Sequence, residues 1–276
     1  MVQYLLLLSE DSIPKKRKSF RDDITYRKNW IFQVLELIFG EKSCIMTVKK
    51  LKLWEIDLME FQKYFPIWNK LSDAHKEQML ASLYSRTVKK GTVLHDASMD
   101  CTGLFLIKTG QLRAYILSEE GREITIYRLF DRDVCLFSAS CMMRSIQFDI
   151  TIEAEKDTDV WVIPVDVYQR IMEESASTAN YTTEIMASRL SEAMWLIEQI
   201  MWKSLDKRVA SFLLDEAAIE ETDKLKITHE IIANHLGTHR EVITRMLKYF
   251  QNEGMVSLSR GIVELTDTDK LGDLCD

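Results

Sequence analysis

Between Val88 and Pro164 the apolar residues fall into short runs separated by turn-forming pairs. "TVLHD", "GLFLIKTGQLRAYILSEEGREITIYRLF" and "FDITIEAEKDTDVWVIP" are rich in β-branched and aromatic side chains. Lys90-Gly91, Thr109-Gly110, Glu120-Gly121 and Lys156-Asp157 divide them. Short strands at turn-separated intervals predict an antiparallel sandwich or barrel. Ahead of it, "LWEIDLMEFQKYFPIWNKL" and "SDAHKEQMLASLYSR" read as short helices; Ser72 is the expected N-cap, and Met79, Leu80 and Leu83 the apolar face. After Pro164 the period becomes helical. "VDVYQRIMEES" predicts a short helix, and a long one follows over 179–204, without Gly or Pro. Within it Met186, Leu190, Ala193, Ile197 and Ile200 recur at alternating steps of four and three. That narrow stripe predicts the seam of a parallel two-stranded coiled coil; packing on its own domain is the alternative.

The most informative stretch is "THEIIANHLGTHREVITRMLKYFQNEGMVSLSRGIVELT", Thr228 to Thr266. Thr228 is positioned to cap a helix that runs through Leu236, and Gly237 supplies a left-handed turn. Thr238 with Glu241 three residues on has the form of a capping box for a second helix reaching about Glu253, where Gly254 ends it. "MVSLS", "RG" and "IVEL" then predict a two-stranded wing. Helix, glycine turn, helix and wing make a winged helix-turn-helix. At ~100° per residue, Arg240, Glu241, Thr244 and Arg245 share one face of the second helix, opposite Val242, Ile243, Met246, Leu247 and Phe250. Arginine can fork onto guanine O6 and N7, and a carboxylate can accept from cytosine N4, so this face suits the major groove. Thr228, Thr238, His239 and Lys248 are the expected phosphate contacts.

"LGTHREVITRMLKYFQNEGMVSLSRGIVEL" closely resembles the DNA-binding end of the Crp/Fnr superfamily of bacterial transcription regulators, including its R-E-x-x-x-R recognition motif. The resemblance extends backward over roughly 55–272. "LDKRVASFLLDEA" is similar to the family's helix after the hinge, the long helix to its dimerisation helix, and "LFLIKTGQLRAYILSEEGREITIYRL" to its cyclic-nucleotide-type β-roll. It implies an α+β chain with an N-terminal double-stranded β-helix (a jelly roll like the cyclic-nucleotide-binding domain), a long dimerisation helix and a C-terminal winged helix-turn-helix. The expected boundaries are 46–178 for the sensor, 179–204 for the dimer helix and 205–276 for the DNA-binding domain. It further implies base readout by Arg240, Glu241 and Arg245, a homodimer on palindromic double-stranded DNA, RNA polymerase as a partner, and a cytoplasmic location.

Composition narrows the picture. A chain of 276 residues is long enough for about two domains. A net charge of −7 excludes a uniformly basic nucleic-acid coat but not a local reading surface. Five cysteines at 44, 101, 135, 141 and 275 form no C-x-x-C pair, which fits reduced thiols rather than a disulfide framework. Residues 1–45 carry "QYLLLL", "PKKRK" and "WIFQVLELIF". The last run holds Glu36 and is too short to span a bilayer, and the order of charge and apolar run is wrong for a signal peptide. This segment is expected to be a poorly ordered extension or an over-long start. No P-loop, dinucleotide glycine turn or H-E-x-x-H occurs, so an enzyme is not expected, nor is a metal site.

The effector is expected to meet "RDVCLFSASCMMRSIQFDI", Arg132 to Ile150. Cyclic-AMP-binding members have a Gly-Glu pair and then Arg-Ser or Arg-Thr in this region. Here no Gly occurs between Gly121 and Gly237, and the Arg-Ser positions fall on Phe148 and Asp149. A ring and a carboxylate are poor partners for a phosphate, so the effector is expected not to be cyclic AMP. Cys135 matches the cysteine of haem-binding members, but Phe137 stands where their histidine would be. Two readings stay open: buried sulfur as a small hydrophobe, or a pocket for an apolar or aromatic effector lined by Cys135, Phe137, Cys141 and Phe148. A haem- or redox-sensing regulator using Cys135 is the alternative in the same scaffold.

Overall fold

Among the described residues, the runs after Leu83 form eight strands, rich in β-branched and aromatic side chains and separated by turns. In the computed structural model these are β1 (Tyr84–Val88), β2 (Val93–His95), β3 (Leu104–Thr109), β4 (Leu112–Leu117), β5 (Glu123–Leu129), β6 (Val134–Cys135), β7 (Thr151–Ala154) and β8 (Thr158–Ile163). They make two four-stranded antiparallel sheets, ordered β1-β8-β3-β6 and β2-β7-β4-β5. The structure describes residues 59–96, 101–138 and 149–275. The chain divides into units 1–60 and 61–276, and of the first only Met59 and Glu60 are described. The expectations for 1–45, Cys44, Cys141 and Phe148 therefore lie outside the described residues.

Phe105, Ile107, Leu112, Leu129, Ile152 and Val162 fill the space between the two sheets. β3 is buried on both faces over its first four residues, and so reads as a continuous apolar run rather than an alternating one. Its outer side is shared with Trp161, against whose ring Phe61 packs edge-on at 5.7 Å. The turn between β3 and β4 depends on Gly110: φ is +108°, and a Cβ there would lie 2.7 Å from the Asp157 carbonyl oxygen.

Helices flank or follow the roll, among them α1 (Asp73–Ser82), α2 (Val165–Glu174) and α3 (Ala176–Trp202). The Ser72 hydroxyl accepts from the His75 amide, as its position predicted, and Met79 and Leu83 are buried. The long helix starts three residues before the expected Ala179, because Ser175 caps it by accepting from the Thr178 amide. It ends at Trp202, since Ser204 already belongs to the start of α4 (Leu205–Glu220).

The C-terminal part continues with β9 (Lys224–Leu225), α5 (His229–Leu236), α6 (Arg240–Asn252), β10 (Val256–Ser259), β11 (Ile262–Leu265) and α7 (Thr268–Cys275). β10 and β11 pair as the expected wing, and β9 extends them to three strands. The capping box expected at Thr238 does not form: the N-cap of α6 is His239, without a side-chain cap bond. The reason is local. Gly237, at φ +69°, closes α5 in the left-handed conformation, and the Thr238 amide donates to the same Ala233 carbonyl as the Gly237 amide. Thr238 thus completes the end of one helix and cannot open the next.

Candidate nucleic-acid interface

α6 is amphipathic in the sense needed to present side chains outward. Ile243, Leu247 and Phe250 are fully buried, while Arg240, Glu241, Arg245 and Lys248 are exposed. Val242 and Met246, expected to bury inward, reach only partial burial at the edges of the stripe. Thr228 caps α5 by accepting from the Ile231 amide at 3.2 Å and stays exposed, as does His239; Thr238 is partly buried. Arg260 is an exposed cation beside Gly261 at the wing turn. Its signal in the sequence was the Arg-Gly pair between the two wing runs.

The exposed face is lightly held. Arg240 Nε lies 4.0 Å from Glu230 Oε2, with both side chains largely in solvent. Such a pair is worth ~0–1 kcal/mol, so the guanidinium is free to turn toward another acceptor. Thr244 is more constrained. Its hydroxyl donates to the Arg240 carbonyl at 2.9 Å, and His229 Nδ1 approaches the same oxygen at 2.9 Å. Burial and then the charge of Arg240 push the His229 pKa below its usual value, which keeps the ring neutral.

A second set of polar residues, not anticipated from the sequence, joins the helix-turn-helix to the sensor sheet. Arg128 of β5 pairs with Glu216 of α4, and its Nε lies 3.1 Å from Glu155 Oε2. That second approach is off the hydrogen-bonding direction, so it is an ionic contact. His235 of α5 sits between them: Nε2 is 3.0 Å from Glu155 Oε1 and 3.0 Å from Arg128 Nη2, and Nδ1 is 2.8 Å from Thr125 Oγ1. Burial depresses the His235 pKa, outweighing the bond to Glu155 that would raise it. Burial alone would raise the Glu155 pKa, but His235, Arg128 and Gln111 together hold it below the usual carboxylate value. Gly237 presses on the same sheet, since a Cβ there would lie 2.9 Å from Ile124 Cδ1. Beside this cluster is a cavity of about 520 Å³ bordered by Tyr127, Phe130, Trp195, Phe212 and Asp215.

Inside the roll, Cys135 and Phe137 are packed core residues, and the Phe137 ring lies 6.0 Å from that of Tyr127. Burial pushes the Cys135 thiol above its usual pKa despite hydrogen bonds from Ser138. Cys135 has no exposed surface, so a haem iron could reach its sulfur only if the packed core opened. Among the described residues no group of three or more His, Cys, Asp or Glu side chains is arranged for a metal. The Tyr127 hydroxyl is buried without a hydrogen-bond partner among the described residues, and the Arg189 guanidinium of α3 lies 4.5 Å over its ring.

The residues of the predicted seam on α3 divide by exposure. Leu190 and Ile197 are exposed, as is Ile200, but Met186 and Ala193 are partly buried. Met194, Trp195, Met201 and Trp202 are exposed as well, and Leu190, Met194, Ile197 and Met201 also keep a four-three spacing. The β-roll takes one flank of α3, as Arg189 over Tyr127 shows. No helix among the described residues is long and apolar enough to cross a membrane.

Residues 85–175 match the cyclic nucleotide-binding domain and residues 207–274 the Crp-like helix-turn-helix domain. A solved structure from Eubacterium rectale, assigned to the crp/fnr family of transcriptional regulators, is 66% identical over 77% of this chain and 99% of its own, with a TM-score of 0.76. The anaerobic regulatory protein of Haemophilus influenzae is 25% identical over 67% of this chain and 77% of its own length. The c-di-GMP-responsive regulator CLP of Xanthomonas campestris shares the fold at 15% identity, covering 70% of this chain and 99% of its own, with a TM-score of 0.59.

Proposed function

Because the chain belongs to the Crp/Fnr family of transcription regulators, we propose that it acts as a homodimer reading a two-fold symmetric DNA site with Arg240, Glu241, Thr244 and Arg245. The observation that carries this reading is the division of α6 into a fully buried face, Ile243, Leu247 and Phe250, and an exposed charged one. Arg240 and Arg245 fork onto guanines, with Glu241 between them to accept from a cytosine. Thr228, Thr238, His239 and Lys248 fix the register through phosphates. The second copy covers Leu190, Met194, Ile197 and Met201, a row of apolar side chains with heptad spacing. RNA polymerase is the further partner that family membership supports.

The effector is a small molecule other than cyclic AMP. The carboxylate of Asp149 at one of the two phosphate-binding positions supports this, as does the absence of glycine between Gly121 and Gly237. The buried Tyr127 hydroxyl, without a partner among the described residues, supports an effector that accepts a hydrogen bond from it.

Selection of binding sites from random DNA tests the reading. A palindrome with half-sites ~34 Å apart is expected. An asymmetric site, or no enrichment by protein shown to be dimeric in sedimentation, contradicts it.

A further inference from the structure

We propose that Thr244 recognises thymine through its γ-methyl group, with His229 as the residue that positions it; the inference rests on α6 being the base-reading helix. A threonine hydroxyl has one proton and two lone pairs. The proton is spent on the Arg240 carbonyl at 2.9 Å. His229 Nδ1, 2.9 Å from the same oxygen, must then be the donor, so the neutral ring carries its proton on Nδ1. The oxygen is thereby turned onto the helix backbone and toward α5. It has no proton left to give to guanine N7 or O6 or to thymine O4.

The only other heavy substituent on the Thr244 Cβ is the methyl group. Thr244 is partly exposed, in the row that runs Arg240, Thr244, Lys248 at successive helical turns. On that row the methyl would be carried between two cationic side chains, on the face proposed to enter the groove. The thymine C5-methyl is the one apolar group that an unmodified base offers on the major-groove edge, and it is the group a threonine methyl can match. His229 contributes by removing the alternative: released, the hydroxyl could rotate and hydrogen-bond to any base. Partial burial and the neighbouring Arg240 lower the His229 pKa, and the Nδ1–H donor role is the same whether the ring is neutral or protonated.

The experiment uses the full chain and its selected site. Each thymine in the half-site is replaced in turn by uracil, which deletes the methyl and leaves the hydrogen-bonding edge intact. Wild type is expected to lose affinity about fourfold per half-site at one thymine, the effect of one buried methyl. Thr244→Val, which keeps a methyl and loses the hydroxyl, retains that loss. Thr244→Ser, which keeps the hydroxyl and loses the methyl, binds thymine and uracil equally. His229→Ala narrows the thymine–uracil ratio, and His229→Asn, which restores an N–H donor, recovers it. A half-site with no uracil-sensitive thymine, or a Thr244→Ser protein that still discriminates, overturns the proposal. Should Arg240→Ala also leave the selected consensus unchanged, the failure belongs to the base-reading role of α6 rather than to Thr244 alone.

Discussion

The same four residue types meet at two places in this molecule with opposite consequences. On α6 and α5, Arg240 faces Glu230 and His229 meets Thr244; at the junction with the sensor sheet, Arg128 faces Glu155 and His235 meets Thr125. The difference is water. Arg240 and Glu230 are 65% and 62% exposed and 4.0 Å apart. Arg128 and Glu155 are 12% and 17% exposed and 3.1 Å apart. An ion pair in solvent costs little to break, so its arginine is available to DNA. A buried pair leaves an uncompensated charge when broken, so its arginine is committed to holding α4 and α5 on β5. One set lies on the proposed reading face, and the other connects α4 and α5 to the β-roll.

The largest expected effect breaks the buried set. Arg128→Ala should destabilise the protein by ~3–5 kcal/mol in denaturant titration, because Glu155 and Glu216 lose their shared cation. Arg240→Ala should change stability by no more than ~0.5 kcal/mol, as an exposed substitution. Equal losses for the two would erase the distinction drawn between the clusters.

Gly237→Ala comes next. The left-handed backbone alone costs ~1–2 kcal/mol for a residue with a Cβ, and the added atom meets Ile124 at 2.9 Å. The melting temperature should fall, and Ile124→Ala in the same chain should recover part of the fall. No recovery would mean that the turn does not rest on the sheet.

The pH dependence is smaller and has a definite sign. The folded His235 pKa lies below its ordinary 6.5, so the unfolded chain binds the proton more readily. Stability is therefore complete above that value and falls as pH drops from about 6.5 toward the folded pKa. Glu155, whose folded pKa lies below 4.5, adds a second loss as pH falls through that lower value. His235→Gln should shrink the upper limb of the stability–pH curve to the share that His229 contributes, and should weaken the lower limb too, since Glu155 loses a partner that holds its pKa down. A His235→Gln curve with an unchanged upper limb would place the titration elsewhere. Lys248→Ala is the mildest change: it should weaken binding to all DNA sequences alike and reduce the salt slope by ~0.9 per half-site.

The two regions also differ in how far they were legible. The α6 face was readable because a 3.6-residue period encodes it within fifteen residues of contiguous chain. The wing was readable because Gly254 and Gly261 punctuate it. The junction was not, because Arg128, Glu155, Glu216 and His235 come from three elements and a turn, and no local period links them. His235 looked like one more polar residue in the motif, yet it is almost fully buried against a strand more than a hundred residues earlier. The capping box failed for a related reason: Thr238 has the right side chain, but its amide already closes α5. The two-residue strand β9 is too short to leave a pattern, and α7 lies beyond the segment whose motif was read. On α3 the four-three spacing was visible, but which side the roll would cover depended on Arg189 reaching Tyr127.

The central claim, that the solvent-free face of α6 anchors the helix and its solvated face reads bases, is tested most directly by selecting sites from random DNA with wild type and Arg240→Ala in parallel. Loss of one bidentate arginine should cost ~1–3 kcal/mol per half-site and relax the preference at one base pair in each half, leaving the others unchanged. An Arg240→Ala protein that selects the wild-type consensus at every position would contradict the account.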